Sequence, residues 1–317
     1  MMERLLAGRA QPRTCEASAP CAPPATTHLR RRRVIQGLAF GLLWAAGLVG
    51  VAVLLGVVGY VLWAGAQVID WDFLTTAPRG GLAGEGGIST TIVTTLYLVG
   101  LTLVIAAPLG VGAAVYLVEY AEEAQGSSGL AKRVIGVARF GVETLAGVPS
   151  IVFGLFGYAL FVVAMGFGFS LLSGALAGAC LIVPVIIRTT EEALKAVPRS
   201  YREGSLALGA TKWQTIWQVV LPAAGPGIIT GVVLGVGRVV SETAVFYVTL
   251  GGNAAAPRSL LQGGRTMALH VYYLAMDTRA FDRAMGTGAI LVVTMVLINA
   301  AITFLSRRYT KRMMGNE

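Results

Sequence analysis

The chain contains a series of apolar stretches that are each long enough to cross a lipid bilayer as a helix. A hydrocarbon core about 30 Å thick needs about 20 apolar residues in helical conformation. Of the 317 residues, 55% are hydrophobic and 13% are charged, against about 25% charged in an average soluble domain. The sequence therefore predicts an all-α integral membrane protein with about six transmembrane helices. The predicted spans are 34–66, 88–118, 141–166, 170–190, 222–250 and 286–306.

The distribution of lysine and arginine predicts the orientation of these spans. With both termini inside (N-in/C-in), most basic residues fall in cytoplasmic loops, as the positive-inside rule requires. Several arginines of the external loop 251–285 count against this orientation but are outweighed. The predicted regions are a cytoplasmic disordered basic tail at 1–33, a first transmembrane helix at 34–66, an external loop at 67–87, a membrane core at 88–306 with a cytoplasmic loop at 191–221, and a cytoplasmic C-terminal tail at 307–317.

Several function classes find no support in the sequence. The net charge of +9 arises from basic residues beside apolar spans, which indicates the lipid bilayer as partner and no nucleic acid. The chain has no Gly-x-x-x-x-Gly-Lys-Ser/Thr phosphate loop and no Ser/His/Asp or Cys/His constellation. Its three cysteines and two histidines lack metal-ligand spacing. We therefore predict no catalytic residues, no metal site and no cofactor in this chain.

The segment between the fourth and fifth spans predicts two short helices. Ser200 and Glu203 have the spacing of a capping box, and Gly209 suits the left-handed turn that ends a helix. Thr211 can cap a second helix, which carries an apolar stripe. The stripe consists of Trp213, Ile216, Trp217 and Val220. Two interpretations stay open: a surface on which a partner docks, or an interfacial helix whose tryptophans lie among the lipid headgroups.

This segment resembles the "EAA" loop of ABC importer permeases, which reads Glu-Ala-Ala, three residues, Gly, nine residues, Ile-x-Leu-Pro. Glu203, Gly209, Leu221 and Pro222 match that pattern, while Gly204 and Ser205 replace the alanines. In that family the loop docks into a cleft of a separate ATPase subunit and transmits its closure. The resemblance implies a coupling loop at 191–221, with the coupling residues Glu203, Gly204, Ser205, Gly209, Leu221 and Pro222.

A wider part of the chain, about 88–306, is similar to the phosphate-importing, PstA-type permeases. The similar runs are Glu143 to Gly154, Arg188-Thr-Thr-Glu191, and Arg238-Val-Val-Ser-Glu242-Thr-Ala. Ser241 stands where glycine is expected, and the external loop 251–285 differs. The resemblance implies a type I ABC importer permease fold in the cell membrane and transport of inorganic phosphate. Permeases for phosphonate, molybdate, sulfate or polyamines are the alternatives.

The same resemblance implies partners for the chain. These are an ATP-binding subunit dimer that holds ATP and Mg, a homologous second permease subunit and an extracytoplasmic phosphate-binding protein. A stand-alone channel or secondary transporter is the alternative from another class. It has less support, because we find no convincing internal repeat and no series of acidic residues for a proton relay.

Two sets of intramembrane charges are candidate substrate-pathway residues. Gly227, Gly231, Gly235, Arg238 and Glu242 share a helical stripe of about 80°, whose small residues indicate close packing against protein. As i, i+4 neighbours, Arg238 and Glu242 either form a structural ion pair or meet a passing oxyanion. The resemblance favours the pathway.

The second set lies at the cytoplasmic end of the fourth span. Arg188 there can pair with Glu191 or Glu192, which repeats the arrangement of cation and carboxylate. An arginine at this depth can also snorkel to the membrane surface without any role in transport. With Arg238 and Glu242, Arg188 and Glu191 complete the predicted pathway residues.

Overall fold

The structure is a computed structural model that describes residues 26–79, 86–120 and 129–313. Within these ranges the regular secondary structure is helical. The helices are α1 Thr26–Ala66, α2 Trp71–Thr75, α3 Ser89–Val115, α4 Gly129–Ala146, α5 Ser150–Gly157, α6 Leu171–Ala196, α7 Arg199–Ala207, α8 Lys212–Thr215, α9 Leu221–Ser241, α10 Ala244–Thr249, α11 Met267–Met276 and α12 Phe281–Met313. Turns of π-helix at Tyr116–Tyr120 and Tyr158–Ala164 continue α3 and α5, and a third at Ile216–Val220 joins α8 to α9.

The chain divides into two compact units, of which the first ends at Val57 and the second runs from Val58 onward. The described part of the first unit is the N-terminal portion of α1. Its apolar side chains, including Leu42 and Trp44, are exposed. The second unit contains the remaining helices. Apolar side chains that are exposed along a span require lipid or another membrane helix around them.

Among the residues that the structure describes, five helices are long and apolar enough to cross a membrane, and a bent pair brings the number to six. The five are Ile35–Ala66, Ser89–Tyr120, Leu171–Ala196, Lys212–Ser241 and Phe281–Phe304. The bent pair is Ile135–Ala146 with Ser150–Ala164, at an angle of 111°. The prediction of an all-α protein with about six spans is therefore confirmed.

The predicted fifth span needs correction, and the third is divided by a bend at Pro149. Within 141–166 the chain bends sharply before Ser150, because Pro149 cannot donate a backbone N–H and occupies the N-cap of α5. The fifth span does not run from 222 to 250. It begins at Lys212 and ends at Ser241, and a break at 242–243 separates it from α10.

Both terminal helices extend beyond the spans predicted for them. Helix α1 begins at Thr26, inside the region 1–33 predicted to be disordered, and α12 continues to Met313, past 306. The added residues include several arginines and lysines, which are good helix formers. The rest of the N-terminal tail, residues 1–25, lies outside the described residues.

The core of the second unit forms where α6 packs between α3 and α9. The glycines of the predicted stripe face α6: Gly231 lies against Thr189, and a Cβ on Gly235 would stand 3.7 Å from Ile186. On the other side of α6, a Cβ on Gly110 of α3 would stand 2.7 Å from the Ile186 side chain. Close helix packing through small residues is therefore confirmed for the predicted stripe on α9, and Gly110 makes a similar contact from α3.

The orientation can be tested by thiol labelling in intact cells. A Lys195→Cys variant should react with a membrane-impermeant maleimide only after permeabilisation, because its exposed position lies on the predicted cytoplasmic side. An Ala255→Cys variant, exposed on the opposite side, should react in intact cells. Labelling of the Lys195→Cys variant in intact cells would contradict N-in/C-in and the cytoplasmic placement of the coupling loop.

Candidate functional site

Helices α7 and α8 meet at a glycine corner. Gly209 has φ +86°, a left-handed conformation that glycine adopts without steric cost. A Cβ built on Gly209 would meet no atom within 4 Å, so the requirement for glycine comes from backbone conformation and not from space. The predicted left-handed turn is confirmed. We call α7, the corner and α8, residues 199–215, the coupling element.

One of the two predicted helix caps is confirmed and the other is wrong. Thr211 caps α8: its hydroxyl accepts from the Gln214 N–H at 3.3 Å, and the Gln214 side chain accepts from the Thr211 N–H at 2.8 Å. The capping box of Ser200 and Glu203 is wrong. Helix α7 has Pro198 at its N-cap and no side-chain cap, so Ser200 already lies inside the helix.

Four of the six predicted coupling residues lie together on this element. Glu203, Gly204 and Gly209 are exposed, and the Ser205 hydroxyl bonds to Thr215 of α8 at 2.9 Å. Leu208, which the sequence prediction missed, is 91% exposed at the corner. Its side chain is thus accessible at the corner between α7 and α8.

Leu221 and Pro222 are separated from that exposed surface. They are partly buried at the start of α9, where Leu221 packs against the cluster of apolar residues beneath the coupling element. Their position at the first turn of α9 suits proline, which needs no N–H partner there. They therefore connect the coupling element to the span and do not form part of its exposed face.

The apolar stripe predicted for the second helix runs from α8 into the π turn, and its residues are divided between buried and exposed positions. Ile216 and Val220 are buried, whereas Trp213 and Trp217 are more than half exposed, with ring centroids 5.4 Å apart in an edge-to-face arrangement. The π turn at Ile216–Val220 departs from the 3.6-residue period on which the stripe was predicted. The two tryptophans are thus accessible to lipid headgroups or to a partner.

Arg202 forms hydrogen bonds that connect the coupling element to the membrane helices. The sequence analysis did not identify this residue. Its Nη2 lies 2.7 Å from Glu119 Oε1, and its Nε lies 3.1 Å from the same oxygen. The guanidinium also donates to the carbonyl oxygens of Leu194 and Val197 at the end of α6, at 2.9 Å each. Arg202 and Glu119 are 83 residues apart, so no local pattern reveals the pair.

The charges at the cytoplasmic end of α6 form a recess of about 250 Å³. Its lining residues are Arg139, Val142, Glu143, Arg188, Glu191, Glu192 and Lys195. Arg188 pairs with Glu192 at 3.6 Å, whereas Glu191 pairs with Lys195 at 3.0 Å. Of the two partners that the sequence allowed for Arg188, the structure selects Glu192. Because this pair is mostly exposed, it contributes little to stability.

Of the two interpretations of Arg238 and Glu242, a structural ion pair or contact with an oxyanion, the structure contradicts the ion pair. Helix α9 ends at Ser241, and Glu242 is extended, with φ −76° and ψ 130°. An i, i+4 pair requires a continuous helix. Glu242 Oε1 instead lies 3.4 Å from the Val245 N–H, and the salt bridges found among the described residues do not include one at Arg238. Arg238 is exposed, at the end of α9 opposite to the Arg188 recess.

The predicted external loop contains a cluster of polar and aromatic contacts around Arg265. No motif in the sequence indicated this cluster. The Arg265 guanidinium donates to the Gly252 carbonyl at 2.6 and 3.0 Å, approaches His270 Nδ1 at 3.3 Å and lies 4.3 Å from the Tyr273 ring centroid. Burial and the nearby Arg265 charge lower the pKa of His270 to about 4. His270 is therefore neutral at pH 7, and the cluster holds the loop to α11.

Residues 126–315, more than half of the chain, match the family model described as "Binding-protein-dependent transport system inner membrane component". The chain belongs to this family. It is thus the membrane-spanning permease subunit of an ABC importer and a multi-pass protein of the cell membrane.

Two curated relatives illustrate the range of similarity. The permease is 32% identical over 301 residues to the "Probable ABC transporter permease protein YqgI" of Bacillus subtilis. The alignment covers 90% of this chain and 99% of the relative. It is 36% identical over 243 residues to the "Phosphate transport system permease protein PstA 1" of Mycobacterium tuberculosis. That alignment covers 75% of this chain and 77% of the relative.

The fold is also found among solved structures. A chain of a bacterial ABC transporter involved in the import of the acidic polysaccharide alginate superimposes with a TM-score of 0.61 at 16% sequence identity. The superposition covers 87% of the permease and 99% of that chain. The type I ABC importer permease fold predicted from the sequence is therefore confirmed. At this identity the likeness extends to the fold alone.

Proposed function

We propose that this permease forms part of the pathway of an importer for inorganic phosphate and couples it to a separate ATPase dimer. The observation that carries the coupling role is the exposed glycine corner at Gly209, which lies together with three other residues of the EAA-like pattern. The substrate is supported by the relatives named as phosphate permeases, such as PstA of Mycobacterium leprae, 34% identical over 287 residues (88% of this chain and 91% of the relative).

The docking surface consists of the exposed face of the coupling element. Glu203 supplies a carboxylate, Gly209 allows close approach of another backbone, and Leu208 supplies an apolar side chain that a cleft can enclose. ATP and Mg are held by the ATPase subunits. Their closure on ATP binding moves the coupling element and favours one of the two states of an alternating-access cycle.

Arg238 is the residue best suited to meet the anion. A guanidinium presents paired N–H donors that match two oxygens of a phosphate, and in this structure no carboxylate of the described chain occupies those donors. Glu242, Arg188 and Glu191 are the further pathway residues. Arg188 and Glu191 line the recess of about 250 Å³ at the end of α6, where in this proposal the anion leaves the permease.

One permease of six spans leaves extensive apolar surface that requires partners. The span Ile35–Ala66 buries none of its most apolar window, and α5 exposes Leu155 and Phe156. A homologous second permease subunit and the bilayer cover these faces. An extracytoplasmic phosphate-binding protein delivers the anion to the opposite side from the ATPase dimer.

Reconstitution tests the proposal directly. Proteoliposomes that contain the ATPase, both permeases and the binding protein should accumulate labelled phosphate with ATP inside, and liposomes lacking this subunit should not. Unlabelled phosphate should compete fully, whereas sulfate, molybdate, a phosphonate and spermidine should not. Uptake of one of these four, together with absence of phosphate uptake, would assign the permease to that substrate.

A further inference from the structure

A single side chain joins the coupling element to two membrane helices. Arg202 of α7 forms the ion pair with Glu119 in the π turn after α3, and it donates to Leu194 and Val197 at the end of α6. The Arg202 side chain is 20% exposed and that of Glu119 is 9% exposed. Because the pair is shielded from water and held by several bonds, α7 cannot move freely of α3 and α6.

A carboxylate at the position of Glu119 does not stabilise α3. The carboxylate stands near the C-terminal end of α3, where the helix dipole is negative and disfavours an anion. The charge of Arg202 compensates this repulsion. A π turn in a helix also accompanies functional sites more often than ordinary helix does. Both features indicate that Glu119 serves the connection to α7 and not the stability of α3.

The other half of the coupling element contacts the same turn. Lys212 Nζ lies 4.5 Å from the centroid of the Tyr120 ring, a cation–π distance, so α8 also rests on the residues that follow α3. Within the element, the hydrogen bond between Ser205 and Thr215 ties α7 to α8. The coupling element is thus one body with two contacts on the turn after α3.

The far end of α3 contacts the predicted external loop. The Thr90 hydroxyl donates to the Ala254 carbonyl at 2.6 Å, and the Thr95 hydroxyl accepts from the Met267 N–H at 2.9 Å. Between these ends α3 packs along α6 with its threonines and small residues buried. One helix therefore touches the coupling element at one end and the loop 251–266 at the other.

We propose that Arg202 and Glu119 are positioning residues that carry the movement of the coupling element into α3, which in turn moves the predicted external loop. The proposal rests on the proposed function, since the movement originates in the ATPase. Rigid elements linked by ion pairs and hydrogen bonds are the physical means by which two distant sites affect each other. Breaking the pair should uncouple the two sides of the membrane without removing the ATPase.

The test uses the full complex with Glu119→Gln, Arg202→Gln and the double variant. We expect each to bind the ATPase and hydrolyse ATP, while phosphate imported per ATP falls about tenfold, within the range of measured coupling energies. Because the two residues act as a unit, the double variant should be no worse than either single variant. Arg202→Lys, which keeps the charge but not the fork, should retain intermediate coupling.

A second readout does not depend on the substrate. In a background with the native cysteines replaced by alanine, ATP should change the rate at which an Ala255→Cys variant reacts with an impermeant maleimide. That change should be lost in Glu119→Gln. The matched control is Arg133→Gln, which removes the same charge from an exposed position of α4, outside the coupling element, and should leave both readouts unchanged.

The outcomes separate this inference from the proposed function. Normal phosphate import per ATP in both single variants, an ATP response of Ala255→Cys that persists in Glu119→Gln, or defects that multiply in the double variant would each overturn the inference. Absence of phosphate import, or of ATPase binding, by the unmodified complex would instead contradict the proposed function. Each ratio is measured on purified complexes, so any loss of assembly is scored separately.

Discussion

Replacing Gly209 by valine should abolish ATP-dependent uptake while the permease still inserts in the membrane. At φ +86° a β-branched side chain collides with its own backbone, and even ordinary residues are disfavoured there by about 1–2 kcal/mol. The chain would have to change the angle between α7 and α8, which would displace Leu208 and Glu203 from their places on the docking surface. We expect loss of ATPase co-purification and a fall in uptake of about tenfold or more, since each 1.4 kcal/mol in docking is a factor of ten.

Gly204 provides the matched control. It lies in the same segment, but within α7 and in ordinary helical conformation, and a Cβ there would meet no atom within 4 Å. Alanine at this position should favour the helix by about 1 kcal/mol over glycine. Gly204→Ala should therefore retain ATPase binding and uptake. Full uptake and ATPase association by Gly209→Val would show that the glycine corner has no part in docking.

The features that the sequence predicted well depend on local chemistry. Each span needs about 20 apolar residues, so the number of spans can be read from composition alone. The turn at Gly209 depends on one residue type and its neighbours, and the cap at Thr211 depends on three residues. Where a span continued from an interfacial segment, as at Lys212, the apolar pattern did not show where the helix began.

The features that the sequence did not predict depend on contacts between distant segments or on an unexpected break. The pairing of Arg202 with Glu119 arises only when α3, α6 and α7 come together. The interpretation of Arg238 and Glu242 as an ion pair required a continuous helix through residue 242. The Ser241 hydroxyl instead bonds back to the Gly237 carbonyl at 2.9 Å, an interaction that bends helices, and α9 ends there.

The end of α9 at Ser241 changes what substitution of Arg238 should do. Removing one member of a buried ion pair costs about 3–5 kcal/mol and would prevent assembly. Arg238 is exposed and has no ion pair with Glu242, so this penalty does not apply. We therefore expect Arg238→Gln to be produced and assembled at the level of the unmodified permease.

Transport should nevertheless be lost in Arg238→Gln. A hydrogen bond to a charged group contributes about 1.5–3 kcal/mol, so loss of the guanidinium should lower uptake per assembled complex about tenfold to a hundredfold. Arg238→Lys should also be impaired, because lysine is a point charge without the planar fork that holds two oxygens. The measurement is initial phosphate uptake by purified complexes in proteoliposomes.

Two further variants decide between transport and structure. Arg258→Gln removes an exposed arginine from the predicted external loop and should leave uptake unchanged, which controls for the loss of one positive charge. The double variant Arg238→Met/Glu242→Leu would recover uptake if the two residues served only to neutralise each other. We expect it to assemble and to remain inactive, because the anion still lacks its cation. Uptake by the double variant at the level of the unmodified complex would exclude Arg238 from the pathway.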